Sequence, residues 1–344
     1  MIILRILVEI GHPADVHLFK NLIWELQKRG HEVKIVVLEK DINKQLLDLY
    51  GFNYTLIGKK SKGIFNKLCS LFVNCYRFYN LSKKFNQDVS ISIGSPYSSV
   101  GTKLIGGKSI AFNDTEHSVE QYMLYAPFTD IICTPSAFNK NLGKKQIRYD
   151  GYHSLAYLHP AHFQPDPTVL SDLNINIGDV FFIIRFISWN ASHDIGQKGF
   201  SMETKKKLVS ELSKFGRVMI TSEGNLPKEF EPYRISVALN KIHDLLYYST
   251  LYIGEGGTMA SEAAVLGTPS VFVNSLSLGY LNEQEHKYGL TVNVHDSTHL
   301  FDKLNPLLER KDLKKEWAKK REAMLKDKID VTKWMVDFFE NYHR

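Results

Sequence analysis

Apolar positions along the chain alternate between short strand-like runs and longer helical stripes. Ile2–Ile10 reads as a buried apolar strand. Val16–Lys28 carries Val16, Leu18, Leu22, Ile23 and Leu26 on one helical side. Gly30-His31 breaks that helix. A second strand at Glu32–Leu38, a helix at Ile42–Tyr50, a strand at Tyr54–Ile57 and a long helix at Ile64–Phe85 follow. Further strands are expected at Val89–Ile93, Ser109–Phe112 and Asp130–Cys133. Strands alternating with helices imply parallel pairing through right-handed crossovers, hence a doubly wound α/β sheet.

The pattern breaks at Gly151–Pro167, where Pro160, Pro165 and Pro167 interrupt any period, and this segment reads as an interdomain linker. It then restarts with strands at Val180–Ile187, Arg217–Ser222, Leu251–Gly254 and Ser270–Val273. The intervening helices are Ser201–Lys214, Lys241–Tyr248 and Thr258–Leu266. From Ser297 the tail is helical and charged, the usual composition of a solvated helix face. The expected organisation is two Rossmann-like domains, 1–155 and 168–325. A terminal helix, 326–344, packs back on the first. Ligands of open α/β sheets bind beyond the carboxyl ends of the strands, so the cleft between two such domains is the expected site.

Bulk properties narrow the function. A chain of 344 residues exceeds one compact core. With 44% hydrophobic and 23% charged residues it is globular, and a net charge of +6 is too mild to argue for nucleic acid. That charge is compatible with a phosphate-bearing substrate or an anionic membrane surface. Three cysteines, Cys69, Cys75 and Cys133, have neither metal-ligand spacing nor the even count of a disulfide framework. They point to a reducing cytoplasm. The apolar start is too short for a signal peptide, and no stretch reaches the roughly 20 apolar residues of a spanning helix. The helix Ile64–Phe85 carries Phe65, Leu68, Leu71, Phe72, Cys75, Phe78, Tyr79 and Phe85. It is flanked by Lys59, Lys60, Lys62, Lys67, Arg77, Lys83 and Lys84. Such a stripe suits a core helix with basic edges, the favoured reading, or a peripheral helix at the inner face of a membrane.

The sharpest chemical signal is Leu251–Pro269. A strand runs into Gly254-Glu255-Gly256-Gly257-Thr258 and then into a helix. Gly256 and Gly257 let the backbone approach a ligand and leave amide N–H groups at a helix amino end, which favours phosphate. Thr258 is either the N-cap or a hydroxyl donor to phosphate. Glu262, one turn on, can accept both hydroxyls of a ribose. The alternative is a plain strand–helix turn with Glu262 solvated. At the amino terminus, strand one ends at Ile10 and Gly11-His12-Pro13-Ala14-Asp15 turns into a helix whose first turn holds His17. His17 or His12 can act as general base; both also have structural readings, His12 in the turn and His17 in the helix. Asp15 reads as the N-cap. After the Ser109–Phe112 strand, Asn113-Asp114-Thr115-Glu116-His117 and Glu120 offer carboxylates for acid/base work. In the second half, Arg185 and the loop Ser188–His193 follow a strand, and Arg185 can hold a diphosphate or form a structural ion pair. Ser222-Glu223-Gly224 ends the next strand and can line the same group.

Gly256-Gly257-Thr258-x-x-x-Glu262-Ala263-x-x-x-Gly267-x-Pro269 resembles the donor-site signature of GT-B proteins. These include the N-acetylglucosaminyltransferase that forms lipid II and the UDP-N-acetylglucosamine 2-epimerases. Together with Ile10–Phe19, it most resembles a bacterial and archaeal family known as a domain of unknown function within that superfamily. The resemblance implies two Rossmann-like domains of GT-B architecture facing across a cleft, and a nucleotide diphosphate sugar, UDP-linked. It implies no cofactor or metal, and no Asp-x-Asp motif is present. It places Glu262 on the ribose and Gly256, Gly257 and Thr258 at the phosphates. Ile242 falls at the base, and Glu283 and Gln284 on the donor sugar. It matches His17 to a histidine of the transferase and Glu116, with Glu120 second, to a catalytic glutamate of the epimerases. The epimerases' Gly-Asp pair is replaced by Gly94-Ser95, which favours the transferase. The expected function is a glycosyltransferase of surface polysaccharide or glycoconjugate assembly, with a saccharide or lipid-linked acceptor. The alternatives are a nucleotide-sugar 2-epimerase, hydrolysing or non-hydrolysing, and a non-catalytic nucleotide-sugar-binding protein.

Overall fold

The computed structural model describes residues 2–39, 41–59, 64–187, 200–222, 226–235 and 237–342. It divides into two compact units. The first is Met1–Tyr157 with Ile329–Arg344, the second Leu158–Lys328.

The first unit opens with β1 (Arg5–Ile10), α1 (Pro13–Lys28), β2 (Glu32–Glu39), α2 (Asp41–Leu49), β3 (Tyr54–Lys59) and α3 (Ile64–Phe85). Next come β4 (Val89–Ile93), α4 (Pro96–Leu104), β5 (Lys108–Phe112), α5 (Val119–Tyr125), β6 (Ile131–Pro135) and β7 (Gln146–Tyr149). The short α6 (Leu155–Leu158) leads into the second unit, which begins with α7 (Thr168–Ser171), β8 (Phe181–Phe186), α8 (Met202–Ser213) and β9 (Arg217–Ser222). It continues through α9 (Ile242–Tyr248), β10 (Leu251–Gly254), α10 (Gly257–Leu266), β11 (Ser270–Val273), α11 (Gly279–His286) and β12 (Thr291–Val294). The chain ends with α12 (Leu300–Leu308), α13 (Leu313–Asp327) and α14 (Val331–Tyr342), the last returning to the first unit.

The first unit holds a seven-stranded parallel sheet, β3-β2-β1-β4-β5-β6-β7. Its strand order reverses between β1 and β4. Connections that step outward past β2 and past β5 must lie on opposite faces if every crossover is right-handed. Hence α1, α2 and α14 cover one face and α3, α4 and α5 the other. Leu7, Val36, Leu38, Ile57 and Phe78 form the core between the sheet and α3. Helix α14 is pinned to α1 by Arg29 and Glu340, 2.7 Å apart, and Thr332 donates to the Ala156 carbonyl at 2.6 Å.

The second unit holds a five-stranded parallel sheet, β12-β11-β10-β8-β9, whose order reverses between β8 and β10. Both are doubly wound α/β units. Helix α10 is apolar on nearly every side and is buried from Ala260 to Leu266, as an interior helix must be. It ends at Gly267, whose φ of +76° is the left-handed C-cap that glycine adopts without strain. Lys314 and Arg321 of α13 cover the ends of α9 and α10. Lys314 donates to the Tyr247 carbonyl at 2.7 Å and Arg321 to the Val265 carbonyl at 2.8 Å. These are the last-turn carbonyls that a helix leaves unpaired.

Candidate functional site

In each unit the switch in strand order is where loops from neighbouring strands splay apart, and ligands of such sheets bind there. In the second unit this point lies between β8, carrying Arg185, and β10, which runs into the glycine turn. Residues far apart in sequence meet. The Glu255 N–H donates to the Arg185 carbonyl at 3.3 Å, and the Arg185 guanidinium donates to Thr221 Oγ1 on β9 at 3.2 Å. A Cβ added to Gly256 would lie 3.8 Å from Arg185 Nε, so this cation stands beside the amino end of α10. Ser222 follows at the end of β9, half-buried.

The N-cap of α10 is Gly256 rather than Thr258, and it supplies no side-chain cap. Glycine leaves the first-turn amides to a ligand or solvent, where a serine or aspartate would have taken one. Thr258 is one position inside the helix and exposed. Gly257 is closely packed. A Cβ there would meet Leu278 Cδ1 at 2.5 Å and the Tyr280 hydroxyl at 2.8 Å.

Glu262 is not the solvated residue that a plain turn would allow. It is buried on α10, and its Oε1 lies 3.1 Å from Nε2 of His243 on α9, beside the half-buried Ile242. Glu255, given no role in the sequence reading, is fully buried. Its carboxylate accepts from the N–H of Ile187 at 3.0 Å and of Phe200 at 2.7 Å, joining these two residues. The loop Ser188–His193 itself, and Glu223-Gly224, lie outside the described residues. A glutamate among glycines and apolar residues was the available signal, since a buried carboxylate must find donors.

The two residues expected on the donor sugar each have a partner within the second unit. Gln284 of α11 is fully buried and donates to Ser261 Oγ at 2.8 Å, tying α11 to α10. Glu283 is paired with the buried Lys328 at 3.0 Å.

In the first unit the switch point lies between β1 and β4. Here the turn Gly11–Asp15 closes by a capping box. His12 is the N-cap, its Nδ1 accepting from the Ala14 N–H at 3.2 Å. Asp15 is not the N-cap; its Oδ2 accepts from the N–H of Gly11 at 2.8 Å and of His12 at 2.9 Å. His17 begins the second helical turn, not the first. It is buried, with Nδ1 3.3 Å from the Tyr50 hydroxyl and its ring against Tyr50 and Tyr157. Glu9, within the apolar first strand, is buried and accepts from Ser95 Oγ at 2.7 Å, joining β1 to the turn after β4.

Beyond β5, Glu116 accepts from the Asn139 N–H at 3.2 Å, while Glu120 is exposed in the first turn of α5. The most polar pair here was missed by the sequence reading: Asp114 Oδ2 lies 3.1 Å from Nδ1 of His153, a residue assigned to the linker. Burial would raise the Asp114 carboxyl, but the His153 ring and the Thr115 hydroxyl outweigh it and hold the group below its ordinary value. Tyr149 stacks on the His153 ring, and burial followed by the Asp114 charge drives its hydroxyl well above the usual range. Only tertiary structure brings β5 and the segment after β7 together. Among the described residues, no group of three or more His, Cys, Asp or Glu is placed to hold a metal ion.

Two doubly wound parallel units, the second with a glycine turn at its switch point, define the GT-B architecture, and solved structures of that fold superpose on the whole chain. The UDP-GlcNAc 2-epimerase of Neisseria meningitidis, bound to UDP-GlcNAc, matches with a TM-score of 0.67 at 12% identity, over 98% of this chain and 100% of that one. The glycosyltransferase VinC in complex with dTDP matches with a TM-score of 0.60 at 14% identity, over 98% of each. The chain belongs to the family described as Protein of unknown function (DUF354), whose model matches residues 4–341. The uncharacterized protein MJ0665 of Methanocaldococcus jannaschii is 25% identical over 285 residues, 79% of this chain and 82% of that protein.

Proposed function

We propose that the chain is a glycosyltransferase drawing on a UDP-linked sugar, with the nucleotide held by the second unit. The observation that carries this reading is the uncapped Gly256–Gly257 turn at the β8/β10 switch point, with Arg185 beside it. A diphosphate is the ligand such a site suits: aligned amides and a helix dipole favour an anion, and a guanidinium adds charge-assisted hydrogen bonds. In this reading Glu262, held by His243, serves the ribose hydroxyls and Ile242 the base. The names of the matched solved structures support the reading, since those proteins are bound to UDP-GlcNAc or dTDP.

In the reaction, an acceptor hydroxyl oxygen bonds to the anomeric carbon of the donor. The bond from that carbon to the diphosphate breaks, and the diphosphate leaves with the electron pair, stabilised by the amino end of α10. The hydroxyl proton passes to a general base, for which His17 and Glu116 are the candidates. The acceptor in this reading is a saccharide or a lipid-linked acceptor of surface polysaccharide or glycoconjugate assembly, used in the cytoplasm.

A second reading, epimerisation of the nucleotide sugar, is favoured by the Asp114–His153 pair, which brings a histidine from the segment after β7 to the carboxylates after β5, Asp114 two residues from Glu116. Incubating the purified protein with UDP-GlcNAc and no acceptor separates the two. The transferase leaves the sugar intact until an acceptor is added. Formation of the 2-epimer or of free sugar would overturn it.

A further inference from the structure

The face of the first unit formed by α3, α4 and α5 exposes apolar side chains that a solvated surface does not need. On α3 the exposed Cys69, Phe72, Val73 and Tyr76 recur at helical spacing, with Phe72 73% and Tyr76 65% exposed. The opposite side of the same helix, at Asn74, Phe78 and Ser82, is buried. Phe72 therefore does not belong to the core stripe in which the sequence reading placed it. Neighbouring helices continue the pattern: Leu104 of α4 is 66% exposed, and Met123 of α5 is 68% exposed beside the exposed Leu124. Large apolar residues gathered on one face mark an interaction surface rather than ordinary scatter.

The charge of the same stretch says what covers it. From residue 49 to residue 113 the sequence carries nine lysines and arginines against one acid, Asp88; Asp88 is paired with Arg5, and Lys108 with Asp130. That is a net of +8 in a chain whose total is +6, so the basic excess is concentrated here. Arg77, Lys83, Lys84 and Lys103 of α3 and α4 are exposed, and Glu120 is the single acid on the three helices. Among the described residues no helix is long and apolar enough to cross a membrane.

We propose that this face is a peripheral docking surface for an anionic lipid bilayer. Phe72, Tyr76 and Met123 enter the headgroup boundary, and the lysines and arginines around them meet the negative surface. A second copy of the same face would bring like charges together, which argues against self-association as its use. The proposal does not depend on the nucleotide reading.

The test is co-flotation of the intact protein with vesicles of phosphatidylcholine alone and of phosphatidylcholine mixed equally with phosphatidylglycerol. Binding is expected to the mixed vesicles only, weakening as salt rises. Lys83→Glu with Lys84→Glu is expected to lower the affinity by about five-fold or more per charge. Phe72→Ser with Tyr76→Ser is expected to abolish binding while leaving the melting temperature and the UDP response unchanged, since both rings lie outside the core. Failure to float with mixed vesicles overturns the proposal. So does binding that neither pair of substitutions alters, or a concentration-dependent dimer dissolved by Phe72→Ser in place of any vesicle binding.

Discussion

Nε2 of His243 lies 3.1 Å from Oε1 of Glu262, and the two side chains are only 4% and 6% exposed. The contact joins α9 to α10 and fixes the one carboxylate on α10 beneath the glycine turn. Glu262→Ala removes a buried acceptor and is expected to cost about 1–3 kcal/mol of stability. Glu262→Gln keeps one oxygen for His243 and is expected to cost less. Chemical denaturation of the two variants checks the order, and equal losses would show that the pair does not tie the helices.

A Cβ at Gly257 would crowd the side-chain tips of Leu278 and Tyr280, both of which must shift to admit a methyl group. Gly257→Ala is therefore expected to destabilise by about 1–3 kcal/mol, the usual range for overpacking. Gly256→Ala, with 3.5 Å of clearance to Ile187, should be tolerated. Melting temperatures of the two variants check this, and the Gly257→Ala protein is expected to melt lower than the Gly256→Ala protein.

Glu255 accepts two backbone N–H groups from Ile187 and Phe200. Glu255→Ala leaves both donors without that acceptor, and a loss of about 2–4 kcal/mol is expected from two such bonds. Glu255→Gln should recover part of it, because an amide oxygen still accepts one. Thermal denaturation of the two variants provides the comparison.

Lys314 is half-buried against the ends of α9 and α10, and burial, with Arg321 adding, lowers its ammonium to about 7. In the unfolded chain the group titrates near roughly 10.4. Between these values the unfolded state holds more protons than the folded one, so stability rises as pH increases through that window. The rise is at most one proton's worth, about 1.4 kcal/mol per pH unit. Lys314→Met should flatten this alkaline limb; an identical slope in the variant would contradict the assignment.

Both sheets were legible because their strands are apolar runs set between helical stripes, and because the glycine turn advertises its own backbone. Other parts were hidden for local physical reasons. Helix α4 was not foreseen, since its buried side is Ser98, Ser99, Gly101 and Thr102 and so carries no apolar period. Edge strand β7, Gln-Ile-Arg-Tyr, is too short and polar to announce itself. The site residues divide likewise. Glycines at a turn carry their conformational reason in the sequence, so the strand–helix turn at Gly256 and Gly257 could be read there. Glu9, Glu255 and the Asp114–His153 pair have partners distant in the chain, and only the folded sheets show what holds them. The apolar period of α3 could be read, but not which of its rings face outward.

The central claim is that the second unit binds a nucleotide diphosphate through the α10 turn and Glu262. Isothermal titration of the protein with UDP tests it directly, using wild type and Glu262→Gln side by side. Saturable binding by the wild type is predicted, with affinity lower by roughly ten-fold or more in the variant, as for a lost hydrogen bond to a charged group. Binding of equal strength in both proteins, or no heat from the wild type with UDP or any other nucleoside diphosphate, would contradict it.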